Sequence, residues 1–378
     1  MNMRLYVVAD KLLYKLFIIF ITLDSALTNI AIVESEKDNI HTVLLYAALI
    51  CALSCIVVKK YEQRQFIITM IIYAFAVFTY INSAATAFML TILTIILAER
   101  QDVESTLHII WRIRLLALIS AVILAVMGIL PMGTISFGSS EKGELLGYVH
   151  ANSFAGNAGV VLLLLLAVRR KSIGVLNYIF FLVTSLVVYF FSRSRTELIV
   201  MSVIAVLLPL ITNSAHIKEW FIRLSKWIVP TIVASNFLLI VMQSFNIAAG
   251  FVDKIGMLFN GRIYLAMLNI QFYGISLLGH QIDRARIATV QWYSALDNGY
   301  TYLLLNFGIV GVLMFVTFQQ MTMRYFVKVQ DEIMCLLCLA FAIWGVYEGM
   351  MVSAQSNFTL LFAASLLELK QHKITIRR

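Results

Sequence analysis

Three observations predict an all-α, polytopic membrane protein. The 378 residues are 61% hydrophobic and 13% charged, with a mean hydropathy of +0.90, far from the composition of soluble domains. Apolar runs long enough to cross or nearly cross a bilayer recur along the whole chain. Basic residues gather in alternate connections between those runs, as retention on the cytoplasmic side requires. The same rule accounts for the formal net charge of +9 and makes nucleic acid a poor partner. A single transmembrane domain over residues 1–378 is expected.

The runs fall at about 12–33, 41–58, 65–81, 83–98, 114–130, 152–168, 173–191, 197–212, 227–245, 301–318, 333–350 and 356–369, which gives about 12 transmembrane helices. Several are shorter than the roughly 20 residues of a perpendicular span, so tilt or local thinning is implied. The first run is too long for a signal-peptide core and lacks a small-residue cleavage site, so it is expected to remain as a span. The stretch from Phe66 to Ala98 is interrupted only by Tyr80-Ile81-Asn82-Ser83. Lys59, Lys60 and Arg64 precede it, and Arg100, Arg112 and Arg114 follow it. Both ends therefore face the cytoplasm, and the stretch divides into a hairpin of two short spans.

With both termini cytoplasmic, 21 of the 29 basic residues lie inside. The other eight are Lys37, Lys142, Arg193, Arg195, Lys254, Arg262, Arg284 and Arg286. Topology does not explain these. The four cysteines, Cys51, Cys55, Cys335 and Cys338, stand inside apolar runs. Helix packing is expected of them, since Cys335 and Cys338 lack the second ligand pair of a metal site.

Between spans 9 and 10 a large extracytoplasmic loop, residues 246–300, carries Asp253, Lys254, Arg262, Asp283, Arg284, Arg286 and Asp297. A loop of that length has work to do, and it is expected to form part of an active site. Four clusters fall on the outer face: His150-Ala151-Asn152-Ser153, Ser192-Arg193-Ser194-Arg195-Thr196-Glu197, Asn260-Gly261-Arg262, and Asp297-Asn298-Gly299-Tyr300.

Guanidinium groups bind phosphate bidentately and stay charged, so Arg193, Arg195 and Arg262 suit a diphosphate at headgroup level; they equally suit snorkelling or pairing with Glu197 and Asp297. Arg284 and Arg286 fit a solvated face. His150 reads as a proton acceptor or as an interfacial histidine bonded to Asn152 or a helix end. Asn152 and Ser153 read as helix caps too, and Asp297-Asn298-Gly299 as a turn and helix start. Trp292, Tyr293, Tyr300 and Tyr302 fit an outer aromatic belt. Asp24 and Glu348 are intramembrane acids outside these clusters.

The order H-x-N-S-x-x-G, S-R-S-R-T, N-G-R at the start of a late loop, then D-N-x-Y before a span containing Gly308 and Gly311, resembles the O-antigen ligase and Wzy-type polysaccharide polymerase superfamily. The resemblance covers most of the chain from about residue 115. It implies a bacterial cytoplasmic-membrane glycosyltransferase that takes glycans from undecaprenyl diphosphate with inversion, without metal or other cofactor. It also implies membrane lipid around the chain, and a chain-length regulator and flippase as partners. Ligases of the superfamily typically carry histidine where Asp297 stands, so a capsule or exopolysaccharide polymerase is the nearer match. One motif of some polymerases, arginine followed after ten residues by glycine, is not matched: Tyr273 stands there and the glycine is Gly274.

On this resemblance Asp297, then His150, is the expected base. Arg193, Arg195 and Arg262 are expected at the diphosphate, with Asn152, Asn298 and Tyr300 as substrate contacts. The alternatives are a ligase with another acceptor, a lipid-linked glycan flippase or transporter, and a scaffold of a glycan-assembly complex.

Overall fold

The computed structural model describes residues 3–32, 34–59, 63–137, 141–258, 261–283 and 296–365. Lys60, Asn260, Arg284, Arg286, Trp292, Tyr293 and the basic residues of the last thirteen positions lie outside the described residues. Among the described residues, eight helices are long and apolar enough to cross a membrane, and two shorter apolar helices accompany them. The protein is a helical, multi-pass membrane protein. The chain divides into two compact units, residues 1–62 with 97–210, and residues 63–96 with 211–378.

The first unit contains α1 (Met3–Leu27), α2 (Glu34–Val58), α5 (Val103–Val126), α6 (Ala151–Arg169), α7 (Val175–Ser192) and most of α8 (Arg195–Asn213). Fourteen of the nineteen residues of α6 are buried, which makes it the centre of the unit. Its small residues Ala155, Gly156, Ala158 and Gly159 let neighbouring helices approach closely, the usual basis of packing in lipid. The other helices keep apolar faces outward, as Ile119 and Ile123 of α5 and Leu176 and Phe180 of α7 do, where lipid is the solvent.

Two features of this unit differ from the expected pattern. A short antiparallel hairpin, β1 (Thr134–Phe137) with β2 (Glu141–Glu144), lies between α5 and α6. And α5 begins eleven residues ahead of the apolar run, at Val103, where Asp102 Oδ1 accepts from the Ser105 N–H. Arg114, expected in a cytoplasmic flank, is therefore in the middle of the helix and 2% exposed. It donates to Asn157 Oδ1 of α6 at 3.1 Å and to Ser25 Oγ of α1 at 2.8 Å.

One end of this unit is fixed by backbone pairing. The α1–α2 connection meets the segment before α6: the Ala31 N–H donates to Gly147 O and the Val149 N–H to Asn29 O. Ile30, Tyr148, Phe154 and Val188 share one hydrophobic cluster there. Gly147 has φ +84°, and a Cβ on it would lie 2.6 Å from Ala121 O, so only glycine fits this turn. The adjoining ends of α1, α2, α6 and α7 are thus held together.

The second unit contains α3 (Gln63–Ser83), most of α4 (Thr86–Ala98), α9 (Ala215–Ser244), α10 (Ala249–Leu258), α11 (Arg262–Tyr273), α12 (Gly299–Val329) and α13 (Glu332–Tyr347). The division of residues 66–98 into two helices agrees with the expected hairpin, and the breakpoint at Ala84-Ala85 follows the Ser83 hydroxyl, which accepts from the Ala85 N–H. The late loop contains helices α10 and α11, both packed on α9.

The long helix α12 is broken at Gly308, whose φ of +71° and ψ of −172° are not helical. The segment after α11 fills the break: Ile309 and Val310 N–H groups donate to Ser276 O and Leu277 O, and the His280 N–H donates to Leu305 O. Asn82 Nδ2 of α3 holds that segment through Gly279 O at 2.6 Å. Backbone groups freed inside a membrane must be satisfied by protein, and this segment does so.

The last apolar run, 356–369, is not a spanning helix where it is described. After α13 come two 3-10 turns, Gly349–Val352 and Phe358–Phe362. Ser353, Ser356, Asn357 and Thr359 are buried among them, and short polar side chains of this kind compete with helical hydrogen bonding.

Candidate functional site

In the second unit, the start of α11, the residues before α12 and the end of α13 meet. Gly261, with φ +72°, precedes α11, so Arg262 is the first residue of that helix. Its side chain is only 6% exposed and lies between two carboxylates: Nε is 3.3 Å from Asp297 Oδ2, and Nη2 is 2.9 Å from Glu348 Oε1. The guanidinium also stands 6.0 Å from the centre of the Tyr347 ring, at the outer limit of a cation–π contact. With both carboxylates ionised the three side chains carry a net charge of −1. Arg262 therefore holds two acids in place, and its own charge is already compensated.

Glu348 belongs to none of the expected clusters, yet it completes this one. The signal available in the sequence was the acid at the end of an apolar run, which calls for a cation partner. Its partner is 86 positions away, and no spacing rule reaches that far.

Asn298 is 2% exposed and fully occupied by structure. Its Oδ1 accepts from the Thr301 N–H and caps α12, and its Nδ2 donates to Asn236 Oδ1 of α9 at 2.7 Å. Tyr300 is completely buried, and its hydroxyl donates to Ala342 O of α13 at 2.9 Å. Asn298 and Tyr300, both expected to contact substrate, pin α12 against α9 and α13. Asp297, with 30% of its side chain exposed, is the residue of the cluster that reaches outward.

In the first unit, His150 and the α7–α8 turn lie at the end fixed by the Gly147 turn. His150 is the N-cap of α6: its Nδ1 accepts from the Asn152 N–H at 3.1 Å, which requires that nitrogen to be unprotonated. Asn152 is half-buried in the first turn. Arg193 ends α7 in the left-handed region, φ +53°, its N–H donating to Tyr189 O. Its guanidinium is 5.0 Å from the Phe190 ring centre. Arg195 opens α8 and is exposed. Between them Ser194 is buried and its hydroxyl donates to Glu197 Oε2, so serine and glutamate build the turn that carries the two arginines.

The four cysteines are buried thiols. Among the described residues no group of three or more His, Cys, Asp or Glu side chains is arranged to hold a metal ion.

No family model matches the chain, and no curated protein or solved structure matches it.

Proposed function

We propose that the protein is a polymerase that joins undecaprenyl-diphosphate-linked repeat units into a surface polysaccharide at the outer face of the bacterial cytoplasmic membrane. The observation that carries this is the α7–α8 turn, where two arginines two positions apart stand at the edge of a membrane-spanning unit on a scaffold of buried Ser194 and Glu197. Fixed cations at headgroup level are the electrostatic partner that a departing diphosphate needs, because its charge grows as the glycosidic bond breaks.

The reaction requires an acceptor hydroxyl to attack the anomeric carbon opposite the diphosphate, with inversion at that carbon. Arg193 and Arg195 are assigned to the diphosphate. Arg262 arrives with its charge matched by Asp297 and Glu348, so it is assigned to positioning Asp297. Asp297, held by Arg262 in the second unit, is assigned no contact with the donor. His150 spends Nδ1 on the α6 cap, so its contribution is to order the end of α6.

The test is synthesis by purified protein in lipid vesicles supplied with undecaprenyl diphosphate carrying one repeat unit. Wild type is expected to give a ladder of products, and Arg193→Ala with Arg195→Ala to abolish it at unchanged membrane abundance. Donor consumption only with a different acceptor would indicate a ligase. Donor crossing the bilayer unconsumed would indicate a flippase. A full-rate ladder from the double variant would remove the diphosphate assignment.

A further inference from the structure

The same end of the first unit holds a carboxylate and an imidazole that the assigned chemistry leaves unused. Asp24, in the last turn of α1, is 5% exposed. Its Oδ1 lies 2.6 Å from Nδ1 of His41 on α2. The His41 side chain is 39% exposed, and the described residues give its Nε2, across the ring, no other partner. The pair faces a small open cavity lined by Leu27, Thr28, Ile32, Lys37 and Ile40. The Thr28 hydroxyl donates to Asp24 O at 2.6 Å and stiffens the α1 end.

A buried carboxylate on Nδ1 fixes the ring and its tautomer, directs basicity to Nε2, and stabilises the imidazolium once Nε2 takes a proton. Lys37 stands four residues before His41, on the same face of α2, and the charged groups lining the cavity are Asp24 and Lys37 together with His41. The α1–α2 connection is hydrogen-bonded to the segment that leads into His150, and Val188 of α7 belongs to the same hydrophobic cluster as Ile30. The cavity is thus at the end of the unit that carries Arg193 and Arg195.

We infer that Asp24 and His41 form a proton-transfer pair in which His41 Nε2 takes the proton from the attacking sugar hydroxyl. The O–H bond breaks as Nε2–H forms, and the hydroxyl oxygen bonds to the anomeric carbon as the diphosphate leaves with the electron pair of its glycosidic bond. His41 is the catalytic residue and Asp24 its positioning residue. The assignment rests on the polymerase reading and names the proton acceptor that reading lacks.

Two measurements test it. In the vesicle assay, His41→Gln keeps a side chain able to bond Asp24 but unable to carry the proton. It is expected to lower kcat by about 100-fold or more with KM little changed, the size of a lost general base; Asp24→Asn is expected to lower kcat less. Polymer made by His41→Gln at the wild-type rate would overturn the pair and leave the polymerase standing. The second measurement is independent of turnover and of any variant: carbethoxylation of wild-type His41 by diethyl pyrocarbonate, followed by mass spectrometry of the full-length protein in lipid. Lipid-linked oligosaccharide extracted from the same cells is expected to slow His41 modification several-fold. If wild type makes no polymer, the polymerase reading fails, and this second result alone decides whether His41 faces a bound glycan. Unchanged modification with the lipid present would overturn the inference.

Discussion

At the scale of single residues, the charge that matters most for stability is the buried Arg262. Arg262 is 6% exposed between Asp297 and Glu348. Removing it leaves two acids facing each other without their cation, and breaking a buried pair in this way costs about 3–5 kcal/mol. Arg262→Ala is expected to lower the thermal midpoint of the detergent-solubilised protein sharply, while Glu348→Gln, which leaves Arg262 paired with Asp297, lowers it less; light-scattering melts of the two variants check the order. Asp297→Asn, which keeps a hydrogen-bonding partner for Arg262, is expected to leave kcat and KM for the lipid-linked substrate within a few-fold of wild type. Slowing of turnover by about two orders of magnitude at constant KM would instead restore Asp297 as the base. The sequence made Arg193, Arg195 and Arg262 visible because each is a basic residue that topology leaves unexplained, and Asp297 visible through its Asp-Asn-Gly-Tyr cluster. It could not separate the roles of Asn298 and Tyr300, since both are satisfied by partners on α9 and α13 that only the folded chain brings near. Arg114 was misplaced for a related reason: a basic residue at the edge of an apolar run looks like a flank until Asn157 and Ser25 are found beside it.

At the scale of elements, run length and charge located most helices, and the interruption at Tyr80–Ser83 correctly announced two helices rather than one. The breaks were harder to see. Gly308 stands in sequence within an unbroken apolar run, whereas in the structure it opens α12 to the segment that follows α11. A Cβ there would lie 2.3 Å from Leu277 O, on a backbone with φ +71°, so strain and collision combine. Gly308→Ala is expected to abolish accumulation of folded protein. Gly256→Ala in α10, where nothing lies within 4 Å of the added carbon, is expected to be tolerated or to stabilise by about 0.5–1 kcal/mol through helix propensity. Fluorescence-detected size exclusion of the two variants reads both outcomes. The last apolar run shows the opposite failure. Its hydropathy suits a span, but buried Ser353, Ser356, Asn357 and Thr359 turn the backbone, and the Thr359 hydroxyl bonds Asn357 Oδ1 at 2.5 Å.

At the scale of the whole molecule, composition together with the recurrent apolar runs identified a helical, multi-pass membrane protein. The number of spans was less legible. Length and hydropathy qualify eight described helices, and α1 is not among them. Orientation is proposed from the positive-inside rule. Single cysteines at Asp38 and at Arg223, labelled from outside intact cells with an impermeant maleimide, are expected to react only at position 38. The native cysteines are buried and provide a low background. The result that bears most directly on the polymerase assignment is the product pattern from vesicles containing only this protein and its lipid-linked repeat unit. We expect a ladder from wild type and none when Arg193 and Arg195 are both alanine. Unconsumed donor in the wild-type vesicles would contradict it.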